Sequence, residues 1–142
     1  MTCFDSDADI ERVGRGLTDR TLPKLEWSHA AHFAVALWLL KRNGLGAMRE
    51  MPRLIWAYNE STGVANTDSS GYHETITLAS LRAGHAWLAE HPHLPLYEVL
   101  RDLLAGELGR SGWLLTYWSR ARLFSAAARR SWVGPDLRPF PY

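Results

Sequence analysis

Apolar residues recur every three to four positions along most of this chain, which is the spacing of an amphipathic helix. The clearest segment follows Ser28, a residue type that caps helix N-termini well, and covers residues 29–42. It stops at Asn43-Gly44, a typical helix end. No segment alternates convincingly between apolar and polar residues as a strand would. The pattern therefore predicts an all-α protein.

The same periodicity, with its glycine, proline and polar interruptions, predicts further helices. The predicted segments are a weak helix capped by Asp5 or Ser6 and ending at Leu17, residues 45–61, a segment capped by Ser70 or Gly71 and ending near Glu90, and residues 96–108, 113–118 and 125–132. Pro52 must kink residues 45–61 or begin a new helix there, because proline lacks the backbone donor. The expected fold is a single-domain bundle of about five to six helices with an extended C-terminal strap that contains Pro and Arg.

The composition agrees with one compact domain, since 142 residues with 46% hydrophobic content and seven Trp can bury a sizeable core. We expect residues 1–142 to form one domain, in which residues 1–22 contribute a weakly attached N-terminal helix and residues 133–142 an extended tail. The formal net charge of +1 argues against a nucleic-acid partner. The single cysteine, Cys3, cannot form an internal disulfide, and no signal peptide or membrane span is visible. We therefore expect a cytoplasmic protein with no membrane partner; whether it forms a homodimer is open.

Two short histidine-containing segments stand at the starts of predicted helices. One is Trp-Ser-His-Ala-Ala-His at residues 27–32, and the other is Gly-Tyr-His-Glu-Thr at residues 71–75. Helices joined by short loops are usually antiparallel neighbours, so these two helices, which one helix separates, should run parallel. Their N-termini then lie at the same end of the bundle, together with the C-terminus of the helix between them.

Three histidines at that end are candidate metal ligands. His29 and His32 are three residues apart and lie on one helix face, within reach of a common ion, and His73 could add a third bond from the facing helix. The helix dipole disfavours imidazolium in a first turn, which keeps such rings ready to coordinate. Three protein ligands and an open position form the catalytic pattern of zinc, although iron or copper would suit the same ligands. In the alternative, residues 70–75 only cap the helix, and the His73 ring forms a hydrogen bond with the loop backbone.

Carboxylates near this end could complete the site. Glu74 follows His73 directly, so it points away from the histidine and is a better general base than ligand. Glu26 and Glu60 compete with Glu74 for the fourth coordination position. Tyr58 is a second candidate catalytic residue.

Substrate-binding candidates are Asn59 and Tyr72 at the same end, and Arg120 and Arg122 in the C-terminal region. Arginines interleaved with aromatic residues could clamp an anionic group, because guanidinium offers paired donors to carboxylate or phosphate. The alternative that we favour is a solvated helix face, in which the three aromatic residues Trp118, Phe124 and Trp132 pin the tail to the bundle.

The other histidines are poorer candidates. His85 is twelve residues beyond His73 and about 18 Å along a helix axis, which is too far to share its ion. His91 and His93 flank Pro92 in a predicted exposed turn. No G-x-S-x-G motif supports nucleophilic catalysis.

Taken together, these motifs resemble a family of small bacterial proteins of unknown function. The resemblance is carried by the two histidine segments, Tyr-Asn-Glu at 58–60, Asn-Thr-Asp at 66–68 and the C-terminal stretches 117–125 and 135–139. It covers nearly the whole chain after the first helix and implies no activity. Pro52 departs from the uninterrupted helix that the resemblance implies.

The sequence predicts a metal-dependent enzyme with one Fe, Zn or Cu ion and a small-molecule substrate. If the arginines form a clamp, that substrate is an anion. The ion would polarise the substrate, activate water or take up oxygen. A non-catalytic small-ligand-binding module that uses the same His- and Arg-lined pocket is one alternative. A helical interaction protein with a large exposed apolar patch is the other.

Overall fold

The computed structural model describes residues 3–142, and helices with their connecting turns account for the architecture of this part of the chain. The α-helices are α1 (Asp7–Asp19), α2 (His29–Asn43), α3 (Ala47–Ser61), α4 (Glu74–Glu90), α5 (Leu96–Ala105), α6 (Arg120–Leu123) and α7 (Ala126–Arg130). Residues 3–142 contain no strand. The predicted all-α, single-domain bundle is confirmed.

Three helix starts are fixed by short-range hydrogen bonds that the sequence predicts. Ser6, Ser28 and Ser125 each accept a backbone N–H of the first turn that follows, which satisfies one of the free donors there. Helix α4 differs from the prediction, because its cap is His73 and not Ser70 or Gly71.

Several boundaries also differ from the prediction. A 3₁₀ turn at Lys24–Glu26 lies where no helix was predicted, and Ser119 caps the additional one-turn helix α6. Pro52 lies inside α3 without starting a new helix. The helix predicted for residues 96–108 ends at Ala105, and a separate 3₁₀ turn, Glu107–Gly109, follows it. The helix predicted for residues 113–118 is the 3₁₀ turn Trp113–Thr116.

Helix α2 is the centre of the bundle. Every residue from Phe33 to Leu40 is buried, so α2 has no solvated face over this length. Helices α1, α3, α4 and α5 all pack against it. This central position places the first turn of α2 beside several other elements.

Helices α2 and α4 run parallel, as predicted. His29 and His32 share a cavity wall with Ile76 and Ser80. Further along both helices, Gly84 approaches Leu37 and Leu40 so closely that an added Cβ would lie 3.3 Å from a Leu40 methyl carbon. Early residues of α2 therefore lie beside early residues of α4, and later residues beside later ones, so the two helices point the same way.

Helix α1 has a larger share in the core than its two glycines suggest. Ile10, Val13 and Leu17 are completely buried. Gly14 lies flat against Trp38, and a Cβ there would come within 2.3 Å of the indole ring. Glycine is required at this crossing because the Trp38 ring occupies the space that a side chain would need.

The C-terminal segment is an extended strap that packs on the bundle. Trp118 is fully buried, and its indole N–H donates to the Val133 carbonyl at 2.9 Å. Phe140 contacts a group of aromatic rings, namely Trp113, Tyr117, Trp118, Trp132 and Tyr142. Phe124, which we expected to help pin the tail, is half exposed. Over the described chain, no helix combines the length and the apolar character that a membrane crossing requires.

Candidate functional site

Two cavities meet the N-terminal end of α4, and they share no lining residue. We call them the histidine pocket and the arginine pocket. The histidine pocket has a volume of about 320 Å³, and the arginine pocket about 550 Å³. Both volumes lie in the range of small-molecule sites.

The histidine pocket is formed by the first turn of α2, by α4 and by the segment from residue 111 to residue 124. Its walls are mainly apolar and aromatic: Trp27, Ile76, Trp113, Leu114, Leu115, Leu123 and Phe124. Its polar side chains are Ser28, His29, His32, Ser80 and Ser111. No carboxylate lies among these lining residues.

His32 is the histidine of this pocket whose ring has no hydrogen-bond partner in the described chain. Its ring packs against Trp27, with 5.4 Å between ring centroids, and it makes no hydrogen bond to any residue of the described chain. Burial, with a smaller contribution from the charge of nearby His29, lowers the pKa of His32 to about 4. His32 is therefore neutral at physiological pH and keeps a free nitrogen lone pair.

His29 is anchored through one ring nitrogen. Its Nε2 lies 2.7 Å from the carbonyl oxygen of Leu108, so this nitrogen carries the proton and donates. The ring also makes an edge contact with Phe33 at 5.4 Å. Because Nε2 donates, Nδ1 is left as an acceptor. Metal-bound histidines commonly donate their other N–H to a backbone carbonyl in this way.

His73 has both ring nitrogens occupied. Nε2 donates to the carbonyl of Leu123 at 2.6 Å, and Nδ1 accepts the backbone N–H of Ile76 at 3.2 Å. Burial lowers the pKa of His73, and the bond to Leu123 opposes this only in part. His73 is thus a neutral cap of α4 that also fixes a wall residue of the histidine pocket.

The three predicted ligands are therefore not assembled around a common point. Within residues 3–142, no three histidine, cysteine, aspartate or glutamate side chains are placed so that they could hold a metal ion. The structure brings His29 and His32 together and gives His73 a different set of partners. Metal binding itself stays a prediction.

None of the three carboxylates that we considered for the fourth position lines the histidine pocket. Glu26 forms a salt bridge with Arg12 at 3.0 Å. Glu60 is exposed on α3. Glu74 accepts a hydrogen bond from the Tyr72 hydroxyl and lines the arginine pocket.

Tyr58 and Asn59 are buried and serve the scaffold. The Tyr58 hydroxyl donates to the carbonyl of Leu22 at 2.8 Å, and burial followed by the charge of Glu26 raises the pKa of this phenol. The Asn59 amide donates to Asn66 Oδ1 at 3.0 Å. Asn66 Oδ1 also accepts the backbone N–H of Tyr72 at 2.9 Å, so Asn59 orders the loop before α4.

The arginine pocket is formed by α3, the loop of residues 66–68, the start of α4 and α7. Its lining residues are Pro52, Arg53, Trp56, Asn66, Thr67, Asp68, Tyr72, Glu74, Arg129 and Arg130. Tyr72 is buried, and its pKa is raised by burial and by its hydrogen bond to Glu74. The predicted substrate-binding residue Tyr72 and the predicted general base Glu74 therefore face this pocket and not the histidines.

The two other predicted substrate-binding residues, Arg120 and Arg122, line neither pocket. Arg122 Nε donates to the carbonyl of Gly134 at 2.6 Å and helps to hold the strap. Arg120 is exposed on α6.

The sequence did not point to Arg53 and Trp56 in the arginine pocket, or to Ser80 and Trp113 in the histidine pocket. One signal was available for α3. Arg53 and Trp56 are three residues apart and fall outside the buried stripe formed by Met51, Ile55 and Tyr58. An arginine and a tryptophan on the same exposed face of a helix are candidate contacts for an aromatic anion.

No protein-family model, curated protein sequence or solved structure matches this chain. The resemblance to a family of small bacterial proteins therefore remains an expectation. The two pockets are the features of the chain that indicate a function.

Proposed function

We propose that the protein binds a small, mainly apolar organic molecule in the histidine pocket through a hydrogen bond to His32. The single observation that carries this proposal is the state of His32, which lines the cavity without a protein partner. His32 is partly buried, and its free ring nitrogen faces the cavity instead of a protein group; a hydrogen bond from a ligand to such a nitrogen is worth roughly 0.5–1.5 kcal/mol. A ligand that donates a hydrogen bond would satisfy this ring.

The walls indicate the rest of the ligand. Trp27, Trp113 and Phe124 offer aromatic surface, and the pocket contains no arginine or lysine. A neutral ring compound with one hydroxyl or acidic N–H fits a cavity of about 320 Å³. An anion is disfavoured here, because no cation compensates its desolvation.

The pKa of His32 favours binding over acid–base catalysis by this ring. A general base works best when its pKa is near the operating pH. A histidine whose pKa is about 4 is a weak base at neutral pH. It remains a good hydrogen-bond acceptor and a good metal ligand, since both roles need the neutral ring.

The test uses p-cresol, which donates a hydrogen bond, and its methyl ether, which does not. We expect p-cresol to bind about three- to tenfold more tightly, as one hydrogen bond is worth roughly 0.5–1.5 kcal/mol. His32→Phe should remove this preference, and the matched control His85→Phe, at an exposed position, should keep it. Calorimetric titration of the three proteins checks the expectation. Equal affinity for both compounds in the unmodified protein would refute the proposal.

A second candidate is the metal-dependent enzyme that the sequence predicts, now with two histidine ligands. The observation that favours it is the hydrogen bond from His29 Nε2 to the Leu108 carbonyl, which directs coordination to Nδ1. His32 would supply the second nitrogen. Two protein ligands would leave coordination positions for substrate, water or oxygen.

Metal analysis separates the two candidates. Protein prepared without a histidine tag is loaded with Zn²⁺, Fe²⁺ or Cu²⁺ and dialysed, and the bound metal is measured for the parent and three variants. Two-ligand binding predicts that His29→Ala and His32→Ala lose the metal while folded His73→Ala retains it. Loss in all three folded variants would restore the three-histidine site, and a metal-free parent would exclude this candidate.

A further inference from the structure

The arginine pocket contains more positive charge than its own carboxylates neutralise. Three arginines and two carboxylates line it. Arg130 and Asp68 pair with each other through two contacts, of which Nε to Oδ1 is 2.7 Å. This pairing lowers the pKa of Asp68, first through the hydrogen bond from Arg130. Arg53, Arg129 and the single carboxylate of Glu74 remain, and they give the pocket one uncompensated positive charge.

The two remaining arginines have unused donors. Arg129 NH1 donates to the carbonyl of Gly71 at 3.0 Å, which holds the side chain against the start of α4. Its Nε is buried and has no hydrogen-bond partner within residues 3–142. Arg53 makes no hydrogen bond or ion pair in that part of the chain. Arg53 is exposed, so water satisfies its donors until a ligand replaces it, whereas the buried Nε of Arg129 is a donor that would normally have an acceptor.

Aromatic surface lies beside these charges. Trp56 is 46% exposed, and its ring is 6.1 Å from that of Tyr72 with an angle of 58° between the planes. Tyr72 is not available as a donor to a ligand, because its hydroxyl already donates to Glu74. A ligand ring can therefore pack on Trp56, while an acidic group reaches the guanidinium groups.

We propose that the arginine pocket is a second binding site, which takes a small aromatic carboxylate with a single negative charge. The carboxylate is bound by Arg53 and Arg129, and the aromatic ring packs on Trp56. A monoanion balances the charge of the pocket, whereas a dianion would exceed it and meet repulsion from Glu74. The site is independent of the histidine pocket, which has no cationic lining residue.

The test measures the binding of four probes by calorimetry and by NMR of the Trp56 indole N–H. The probes are benzoate, 2-naphthoate, the neutral analogue benzamide and the dianion phenyl phosphate. We expect benzoate and 2-naphthoate to bind and to shift the Trp56 signal, which is assigned by its loss in Trp56→Phe. Benzamide should bind at least about tenfold more weakly, because it cannot form the charge-assisted bonds. Phenyl phosphate should bind more weakly than benzoate.

The variants locate the site. Arg53→Gln should weaken benzoate binding about tenfold, and Arg49→Gln is the matched control, since it removes the same charge from an exposed position on the same helix. Arg129→Lys keeps the charge but loses the planar donors, and it should weaken binding without unfolding the protein. His32→Phe should have no effect on benzoate, so failure of one pocket is distinguished from failure of the other.

Three results would overturn the proposal. The first is no carboxylate binding at millimolar concentration. The second is equal binding of benzoate and benzamide or tighter binding of phenyl phosphate. The third is an equal loss of affinity in Arg53→Gln and Arg49→Gln.

Discussion

The two pockets receive residues from the same end of α4 but hold their polar groups in different states. In the histidine pocket, the imidazole of His32 is partly buried among aromatic walls, and this burial lowers its pKa to about 4. In the arginine pocket, guanidinium groups keep their charge because arginine cannot be deprotonated under ordinary conditions. Burial therefore favours the neutral form of the imidazole, which can lose its proton. The group that cannot is left in need of a counter-ion.

His73 lies between these pockets, since it caps α4 and bonds to Leu123, a wall residue of the histidine pocket. Because both of its ring nitrogens already have hydrogen-bond partners, we expect His73 to belong to the scaffold and not to bind a ligand.

The largest expected effect is therefore that of His73→Ala on stability. The variant loses a helix cap and leaves the carbonyl of buried Leu123 unpaired, which together should cost about 2–4 kcal/mol. Urea unfolding measures this loss. The control His93→Ala, at an exposed position, should change stability by less than about 0.5 kcal/mol. A similar small change in His73→Ala would mean that the His73 ring is free for another role.

The pH dependence of stability is the next effect in size. The folded-state pKa of His32 lies near 4 and the unfolded value near 6.5, so the unfolded chain binds this proton first as the pH falls. The contribution of neutral His32 to the unfolding free energy is fully present above pH 6.5 and is lost as the pH falls from 6.5 to 4. This loss should be about 2–3 kcal/mol, since partial solvation of the ring reduces it. His73 acts in the same direction, since its pKa is also lowered.

The difference between the parent and His32→Phe isolates the His32 contribution. Unfolding free energies at pH 7 and pH 4.5 should differ less in His32→Phe than in the parent, while His85→Phe should follow the parent. Parallel pH profiles for the parent and His32→Phe would mean that the ring of His32 is solvated and that the contrast between the pockets is smaller than we propose.

Gly71→Ala tests the loop that builds the arginine pocket. Gly71 has φ of +79°, and a Cβ would lie 2.5 Å from the Ala65 carbonyl oxygen, so we expect a loss of about 2 kcal/mol. Gly63 has the same φ with nothing within 4 Å of the added Cβ, and Gly63→Ala should cost only about 1 kcal/mol. Gly71→Ala should also weaken benzoate binding and leave p-cresol binding unchanged. Equal losses of stability in both variants would show that the loop around Gly71 yields without strain.

The smallest effect is expected for Asp68→Asn. Its ion pair with Arg130 is on the surface, so the urea midpoint should stay the same. Removing this carboxylate releases Arg130 and increases the positive charge of the arginine pocket. Benzoate affinity should rise roughly two- to threefold at low salt, and the gain should disappear at about 0.5 M salt. Weaker binding would mean that the Asp68–Arg130 pair shapes the site.

Local sequence determined most of the fold. Ser6, Ser28 and Ser125 cap the helices that were predicted after them, because a cap depends only on residues two or three positions away. The order of short connections also determined that α2 and α4 run parallel. In the site, the three-residue spacing on one helix was enough to place His29 and His32 together.

The remaining features were decided by contacts between segments that are distant in the chain. The Nε2 partner of His73 lies 50 residues away, and that of His29 lies 79 residues away. Arg129 reaches the carbonyl of Gly71 across 58 residues, so the sequence could not show that this arginine joins α3 and the start of α4 in one pocket. Periodicity reports which side of a helix is buried, but it does not report which carbonyl a buried imidazole meets there. Packing made that choice, and with it the choice between a ligand and a cap.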